Sequence, residues 1–395
     1  MTSTIHTAAD ATGELLPDEL VEQCRRRAAG YDHDNRFFTE DFDELCAAGY
    51  LLAALPRSHG GAGAGLGTVV AAQRRLANAA PPTALALSMH LYFTGAAAQL
   101  HAMGNPSVGW ILDEAAAGEV FAAGHAETGN DLPVLLSTTR AERVPGGYRI
   151  TGRKRFGSLG PVWTRLGIHA LDPSDAEHPR IVHAFVDRHA DGVHVQDQWD
   201  TLGMRATQSY DTLLEAVFVP DHRVARALPA GDPTDPWFGT MSTWAFLQFA
   251  GVYLGIADRA LELAIGLART KTSIAVPRGT MSYNPEVQHV IAAMYIDVLT
   301  AATLLGSTTA DWDAAVSHPD WPARALAAKH VAVDRATEVV ARALEVAGGG
   351  ALATGHELER LYRDVRAGWF NGVNGHLAIE LIGKGVLGVE PQPRW

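Results

Sequence analysis

At 395 residues, 47% hydrophobic and 19% charged, the chain has the composition of a globular protein with a large core and room for two or three domains. A formal net charge of −12 excludes nucleic acid as the main partner, because phosphate binding needs a basic face. The two cysteines, Cys24 and Cys46, sit in no CxxC or Cys/His cluster, so reduced thiols and no metal site are expected.

The opening "MTSTIHTAADATGELLP" has no basic stretch followed by an apolar run, so no signal peptide and a cytoplasmic location are expected. Residues 1–120 read as an N-terminal helical domain. "PDELVEQCRRRAAGYDHDN" and "TEDFDELCAAGY" carry apolar residues at helical spacing, with Thr39 as N-cap. "LPRSHGGAGAG", from Leu55 to Gly65, is a loop, and two apolar helices follow. Residues 121–230 change character. Short β-type runs alternate with turn signals, and Val144-Pro145-Gly146-Gly147 joins two of them as a hairpin. With no helices between the strands, a small antiparallel barrel or sandwich is expected. Residues 231–395 return to long helices near 240–272, 284–308, 322–347 and a broken pair at 357–388, a bundle. Pro236 to Ala257 contains no ionisable side chain and is long enough to span a bilayer. Its Thr, Ser, Gln, Gly and Pro content and its flanks, Asp235 and Asp258, read instead as a buried central helix. The fold class is therefore α+β, mainly α.

Five motifs, in this order, resemble the acyl-CoA dehydrogenase family over nearly the whole chain. They are "LPRSHGGAGAG", "GHAETGND" (Gly124 to Asp131), "YRITGRKRFGSLG", "WDTLGMRATQSYDTLLEAVFVP" and "EVAGGGALATGHELERLYRDVR". The resemblance implies a helical domain, a β-barrel and a helical bundle in succession, FAD as cofactor and a homotetramer. It implies that Gly124, Gly129 and Asn130 approach the isoalloxazine ring, that Phe156 packs on its face and that Ser158 reaches toward flavin N5. It places Arg269, Gln288, Glu345, Gly348 and Gly349 at the pyrophosphate and adenosine end, served from a neighbouring subunit. Asn374 and His376 fall beside the cofactor as well. Two departures touch that end. Thr272-Ser273 replaces Phe-Gly, and Glu345 replaces a glutamine, setting a carboxylate where a diphosphate would be repelled.

In that family a glutamate in the last kink removes the proton α to a thioester carbonyl. Aligned on Arg363-Asp364, its place falls on Gly372, or on Asn371 after a one-residue shift. A minority carries the glutamate on the long helix of the third zone, at about Ala245 here. None of the three is a carboxylate. His125 and Glu127 are the remaining titratable candidates for a base. Two reactions stay open. One is dehydrogenation of an acyl thioester, on CoA or a carrier protein, with an electron acceptor. The other is a flavin monooxygenase reaction with oxygen on the same scaffold. No membrane partner is expected.

Overall fold

The computed structural model describes residue 13 and residues 15–276 and 279–389; the expectation about a signal peptide falls mainly on residues outside these. Helix α1 (Asp18–Asp34) buries Leu20, Val21, Cys24, Ala28 and Tyr31, one stripe at helical spacing, and ends on Asn35 in the left-handed conformation. Helix α2 (Thr39–Ala47) begins one residue earlier than the sequence suggests: Phe38 holds the cap position and no side chain caps it. After the loop, which contains a 3-10 turn at Arg57–His59, come α3 (Leu66–Ala79), α4 (Pro81–Ala102) and the short α5 (Trp110–Ala116). Helix α4 is buried almost all round, which is why its sequence shows no polar face.

Strands β1 (Phe121–Gly124), β2 (Arg140–Val144), β3 (Gly147–Gly157), β4 (Arg165–Asp172), β5 (Arg180–Asp187), β6 (Val193–Gln196), β7 (Tyr210–Pro220) and β8 (Val224–Pro229) form one sheet, in the order β6-β7-β3-β2-β4-β5-β8. The hairpin at Val144–Gly147 is present, with those two residues paired. Pairing is mostly antiparallel but not wholly so: β1 runs parallel to β4, and β2 meets β4 in parallel at Arg140 and Leu171. Strand β1 has no hairpin partner, so nothing obliges it to run antiparallel. Register shifts interrupt the β3–β7 ladder between Lys154 and Gly157, and there Phe156 takes a φ of +57°.

Helix α6 (Pro236–Thr270) is the central helix of the bundle, so the uncharged segment is core and not a membrane span. Gly251 and Gly255 let it lie against α3: a Cβ on Gly255 would sit 2.2 Å from the Arg74 carbonyl oxygen. Around it stand α7 (Pro285–Asp313), α8 (Trp321–Ala347), α9 (Glu357–Val365) and α10 (Gly375–Leu387). A 3-10 turn, Arg366–Trp369, and a bend to Asn374 separate the last two. Helix α7 is long and apolar enough to cross a membrane, and it presents Tyr295, Ile296 and Leu299 outward. Charged ties lock the bundle to the N-terminal helices. The Asp313 carboxylate accepts from the amides of Leu66 (2.9 Å) and Gly67 (2.8 Å), and Arg74 pairs with Asp258 at 2.6 Å. Cys24 and Cys46 are both free thiols.

Candidate active site

The turn after β1 is built around a buried carboxylate. Glu127 accepts hydrogen bonds from the Ser137 hydroxyl (2.8 Å), the amides of Thr138 (3.0 Å) and Thr139 (3.1 Å), the Thr139 hydroxyl (2.6 Å), the Asn130 amide (2.8 Å) and the Lys154 ammonium (2.6 Å). Burial alone would raise its carboxyl, but the His169 ring and the Lys154 cation hold it well below the usual carboxylate range. Burial pushes Lys154 down to about 8 against the pull of Glu127. Every lone pair of Glu127 is spoken for, so as a proton acceptor it is spent. Asn130 is part of the same brace, donating also to the Leu136 carbonyl (2.7 Å) and accepting from the Leu132 amide (3.0 Å). Gly129 supplies the bend, at φ +77°, with open space where a Cβ would project. Gly124 is enclosed: a Cβ there would meet Leu166 and Lys154 at 3.2 Å.

His125 stands one residue past β1. Its ring is edge-on to Phe93 (5.8 Å) and to His169 (5.7 Å), and no hydrogen bond to it exists among the described residues. Burial above all, with the Lys154 ammonium nearby disfavouring a second positive charge, pushes its imidazole well below its ordinary value, so it is neutral at pH 7.

The Arg155 amide donates to the Ala126 carbonyl (2.9 Å), which brings the end of β3 against this turn. Phe156 is half exposed, with Arg155 over its ring at 5.1 Å and Trp199 edge-on at 6.0 Å. The Trp199 indole N–H is buried without a partner. An open aromatic face beside an orphaned donor fits a planar, acceptor-rich ring such as an isoalloxazine. Ser158 is buried, and its hydroxyl is engaged by Ser209 (2.8 Å), which in turn meets Thr207 (2.7 Å).

The kink lies on α6. A Cβ on Gly372, whose φ is +68°, would meet the rings of Phe249 at 3.3 Å and Phe246 at 3.5 Å. Asn371 donates its side-chain amide to the Tyr253 hydroxyl. Asn374 accepts from the Leu377 amide (3.0 Å) and so caps α10, while His376 is exposed and edge-on to Trp369. Ala245 is buried on the same helix. An aromatic row joins kink to turn: Phe249 to Tyr92 (6.4 Å), Tyr92 to Phe93 (4.4 Å), Phe93 to His125. The structure therefore gathers Gly124, His125, Glu127, Gly129, Asn130, Phe156 and Ser158 into one wall and Asn371, Gly372 and Asn374 into another.

The remaining residues lie elsewhere. Arg269, Gln288 and Glu345 are exposed at the far end of the bundle, where Lys271 donates to the Ala347 carbonyl (3.1 Å) beside Gly348, with Gly349 exposed next to it. At the α-helical rise Arg269 stands about 36 Å from Ala245 along α6. Within one chain they do not reach the walls above, and Gln288 spends its amide on the Ser282 carbonyl (2.7 Å). Sequence reasoning missed Phe246, Phe249 and Tyr253, and it missed Lys329, a lone cation in the apolar run "ALAAKHVAV" that could have drawn notice. Lys329 is buried and donates to the carbonyls of Gly368 (3.2 Å) and Val373 (2.9 Å).

Two helical domains flank an intervening sheet, and a row of aromatic rings links the turn after β1 to the kink. Acyl-CoA dehydrogenase models match in order, the N-terminal domain over residues 13–108, the middle domain over 121–217 and the C-terminal domain over 247–374. The chain belongs to the acyl-CoA dehydrogenase family. It is 28% identical over 357 residues to YdbM of Bacillus subtilis, whose name carries a provisional acyl-CoA dehydrogenase assignment; the match covers 89% of this chain and 90% of that one. It is 30% identical over 350 residues to the amino sugar nitrososynthase DnmZ of Streptomyces peucetius, covering 83% and 81%. Among solved structures it matches KijD3 in complex with FMN and dTDP-3-amino-2,3,6-trideoxy-4-keto-3-methyl-D-glucose, with a TM-score of 0.85 and 24% identity over 99% of this chain and 97% of that one.

Proposed function

We propose that this chain is a flavin-dependent monooxygenase that oxygenates the nitrogen of a primary amine, with amino sugars as the substrate class. The observation that carries the reading is the missing base. Removal of an α proton needs a carboxylate or comparable group within hydrogen-bond reach. Residues 245, 371 and 372 are Ala, Asn and Gly, and the carboxylate of the nearby turn, Glu127, is consumed by its own braces. Oxygenation of an amine draws on no such group; it needs a neutral nitrogen in a dry pocket. Tyr92, Phe93, Phe246 and Phe249 would give a substrate beside the kink apolar surroundings, and neutral His125 would accept from an amine N–H without competing for charge. The relationship to DnmZ supports the substrate class.

Reduced flavin and oxygen would supply the chemistry: one oxygen atom of O₂ goes to nitrogen, the other leaves as water, and flavin provides two electrons and two protons. FMN rather than the FAD implied by the resemblance is the proposed flavin, because Glu345 would repel a diphosphate at the adenosine end. Phe156 would pack on the ring, with the Trp199 indole as donor. A homo-oligomer, a tetramer as the resemblance implies, remains part of this proposal. The outward Tyr295, Ile296 and Leu299 of α7 suit a second copy, and light scattering at the mass of the 42.2 kDa monomer would remove it.

The test compares two mixtures. Reduced FMN, oxygen and a dTDP-linked amino sugar are expected to give a hydroxylamine or nitroso sugar, read by mass spectrometry. Butyryl-CoA added anaerobically to flavin-loaded protein is expected to leave the flavin oxidised. Rapid bleaching by butyryl-CoA, with no oxygenated amine, would return the chain to thioester dehydrogenation.

A further inference from the structure

We infer that Lys329 is a positioning residue of this site, a clasp whose ammonium binds the two carbonyls that bracket the kink and so fixes where Asn371 and Gly372 stand. The inference rests on the reading that the kink forms one wall of the substrate groove.

Lys329 lies on α8 among Ala325, Leu326, Ala328, Ala332 and Val333, and is 1% exposed. Its Nζ donates to Gly368 O at 3.2 Å and to Val373 O at 2.9 Å. These carbonyls belong to the two ends of a segment with little regular bonding of its own. Phe370 and Asn371 donate back to Ala367 (3.0 and 3.1 Å), and no backbone–backbone bond from the amides of Gly372 or Val373 exists among the described residues. A helix that stops leaves its last carbonyls without partners, and a cation there both bonds them and suits the negative end of the dipole. One ammonium reaching both ends closes the bend into a loop of fixed width.

Among the described residues no carboxylate pairs with this cation. Asp364, the acid that precedes the kink, accepts from the Met204 amide. Tyr253 is occupied by Asn371, and His330 and His376 lie against Trp369. Burial alone lowers the Lys329 ammonium to about 8. A buried charge without a counter-charge is costly, and a hydrophobic side chain of similar volume would ordinarily be the more stable choice. Packing around the bend is equally exact. A Cβ on Gly368 would meet Val333 at 2.8 Å and Tyr253 at 3.0 Å, and one on Gly375 would meet the Trp369 ring at 2.5 Å. The kink is thus held from three sides, and Lys329 is the hold that spans it.

The experiment uses the full chain with Lys329→Met and Lys329→Gln, read by hydrogen exchange, by titration with reduced FMN and by denaturant unfolding. In Lys329→Met, amide exchange over residues 366–377 is expected to rise about tenfold or more while α6 and α8 keep their protection, and reduced FMN to bind several-fold more weakly. Lys329→Gln, which keeps one donor, is expected to fall between. In Lys329→Ala, added propylammonium is expected to restore protection across the bend, which a merely structural loss would not allow. Wild-type exchange and FMN affinity in Lys329→Met would overturn the inference. So would loss of the whole fold in both variants, which would make Lys329 a core residue and no more. The exchange arm reads the kink without any substrate, so a failure of amine oxygenation leaves it standing.

Discussion

Two bends joined by a row of aromatic rings are built in opposite ways. The turn at residues 124–139 is organised by an anion: Glu127 gathers four hydroxyl and amide donors from residues 137–139, one from Asn130, and the Lys154 cation. The kink at residues 368–374 is organised by a cation, Lys329, and has glycine where its relatives' chemistry would want a carboxylate. A titratable group is therefore no guide to catalysis until its bonds are counted. Glu127, the carboxylate present, is bonded on every side, and Gly372 and Asn371, where the family resemblance would set a base, carry no carboxylate.

The largest expected effect breaks the anionic bend. Glu127→Gln keeps the shape but leaves the Lys154 ammonium buried with no counter-charge, a change that typically costs about 3–5 kcal/mol. Urea unfolding should show it directly. A variant as stable as wild type would mean that Glu127 is free enough to act on substrate after all.

A change in the opposite direction is expected at the foot of the kink. Asp364 is fully buried, and burial pushes its carboxyl up to about 6 although the Met204 amide and the Arg360 guanidinium favour the charged form. A folded-state value above the unfolded one contributes stability that is present below about pH 4 and lost as pH rises through 6. Asp364→Asn can keep the bond from Met204 and removes the ionisation. It should unfold at nearly wild-type urea concentration at pH 4, but be more stable at pH 8, by up to about 3 kcal/mol. A variant weaker at both values would show that the charge is needed for Arg360 or Arg363.

Gly372→Glu restores a carboxylate to the cationic bend. The residue sits at φ +68°, so a side chain costs about 1–2 kcal/mol of strain before its contacts with Phe249 and Phe246 are counted. If the empty position is what separates this chain from thioester dehydrogenases, flavin bleaching by butyryl-CoA should rise by about 10²-fold over wild type. No rise in a variant that still binds flavin would place the difference in the pocket walls instead.

The sequence carried the architecture well because each zone has its own period. Strands β2 and β3 alternate around Pro145-Gly146, and α6 is uncharged because it is surrounded. What it hid were pairings between distant residues. Nothing in "GHAETGND" says that Glu127 will be bonded to Ser137, Thr139 and Lys154, so it looked available. The parallel pairing of β1 with β4 depends on how the strand leaves α5, which no local pattern records. Lys329 was visible as one cation in an apolar run, but its targets are main-chain carbonyls some forty residues on, and carbonyls have no letter. Arg269 and Glu345 were legible only as family positions, and within one chain they stand far from the groove.

The smallest effect separates holding the kink from capping the helix after it. Asn374 accepts from the Leu377 amide and ends the bend, where its φ of −62° and ψ of 163° are those of an N-cap residue. Asn374→Ala removes one partner from the first turn of α10, a loss of about 1 kcal/mol. Because Lys329 bonds to residues 368 and 373, before the cap, the clasp should survive. Hydrogen exchange should then quicken over the first turn of α10 while residues 368–373 keep their protection, and reduced FMN should bind as in wild type. Loss of FMN binding would mean that Asn374 touches the cofactor and that its helix cap is secondary. Exchange quickening throughout the bend would mean that cap and clasp form one cooperative unit, and the contrast between the two bends would then lie in their charges and not in how they are held.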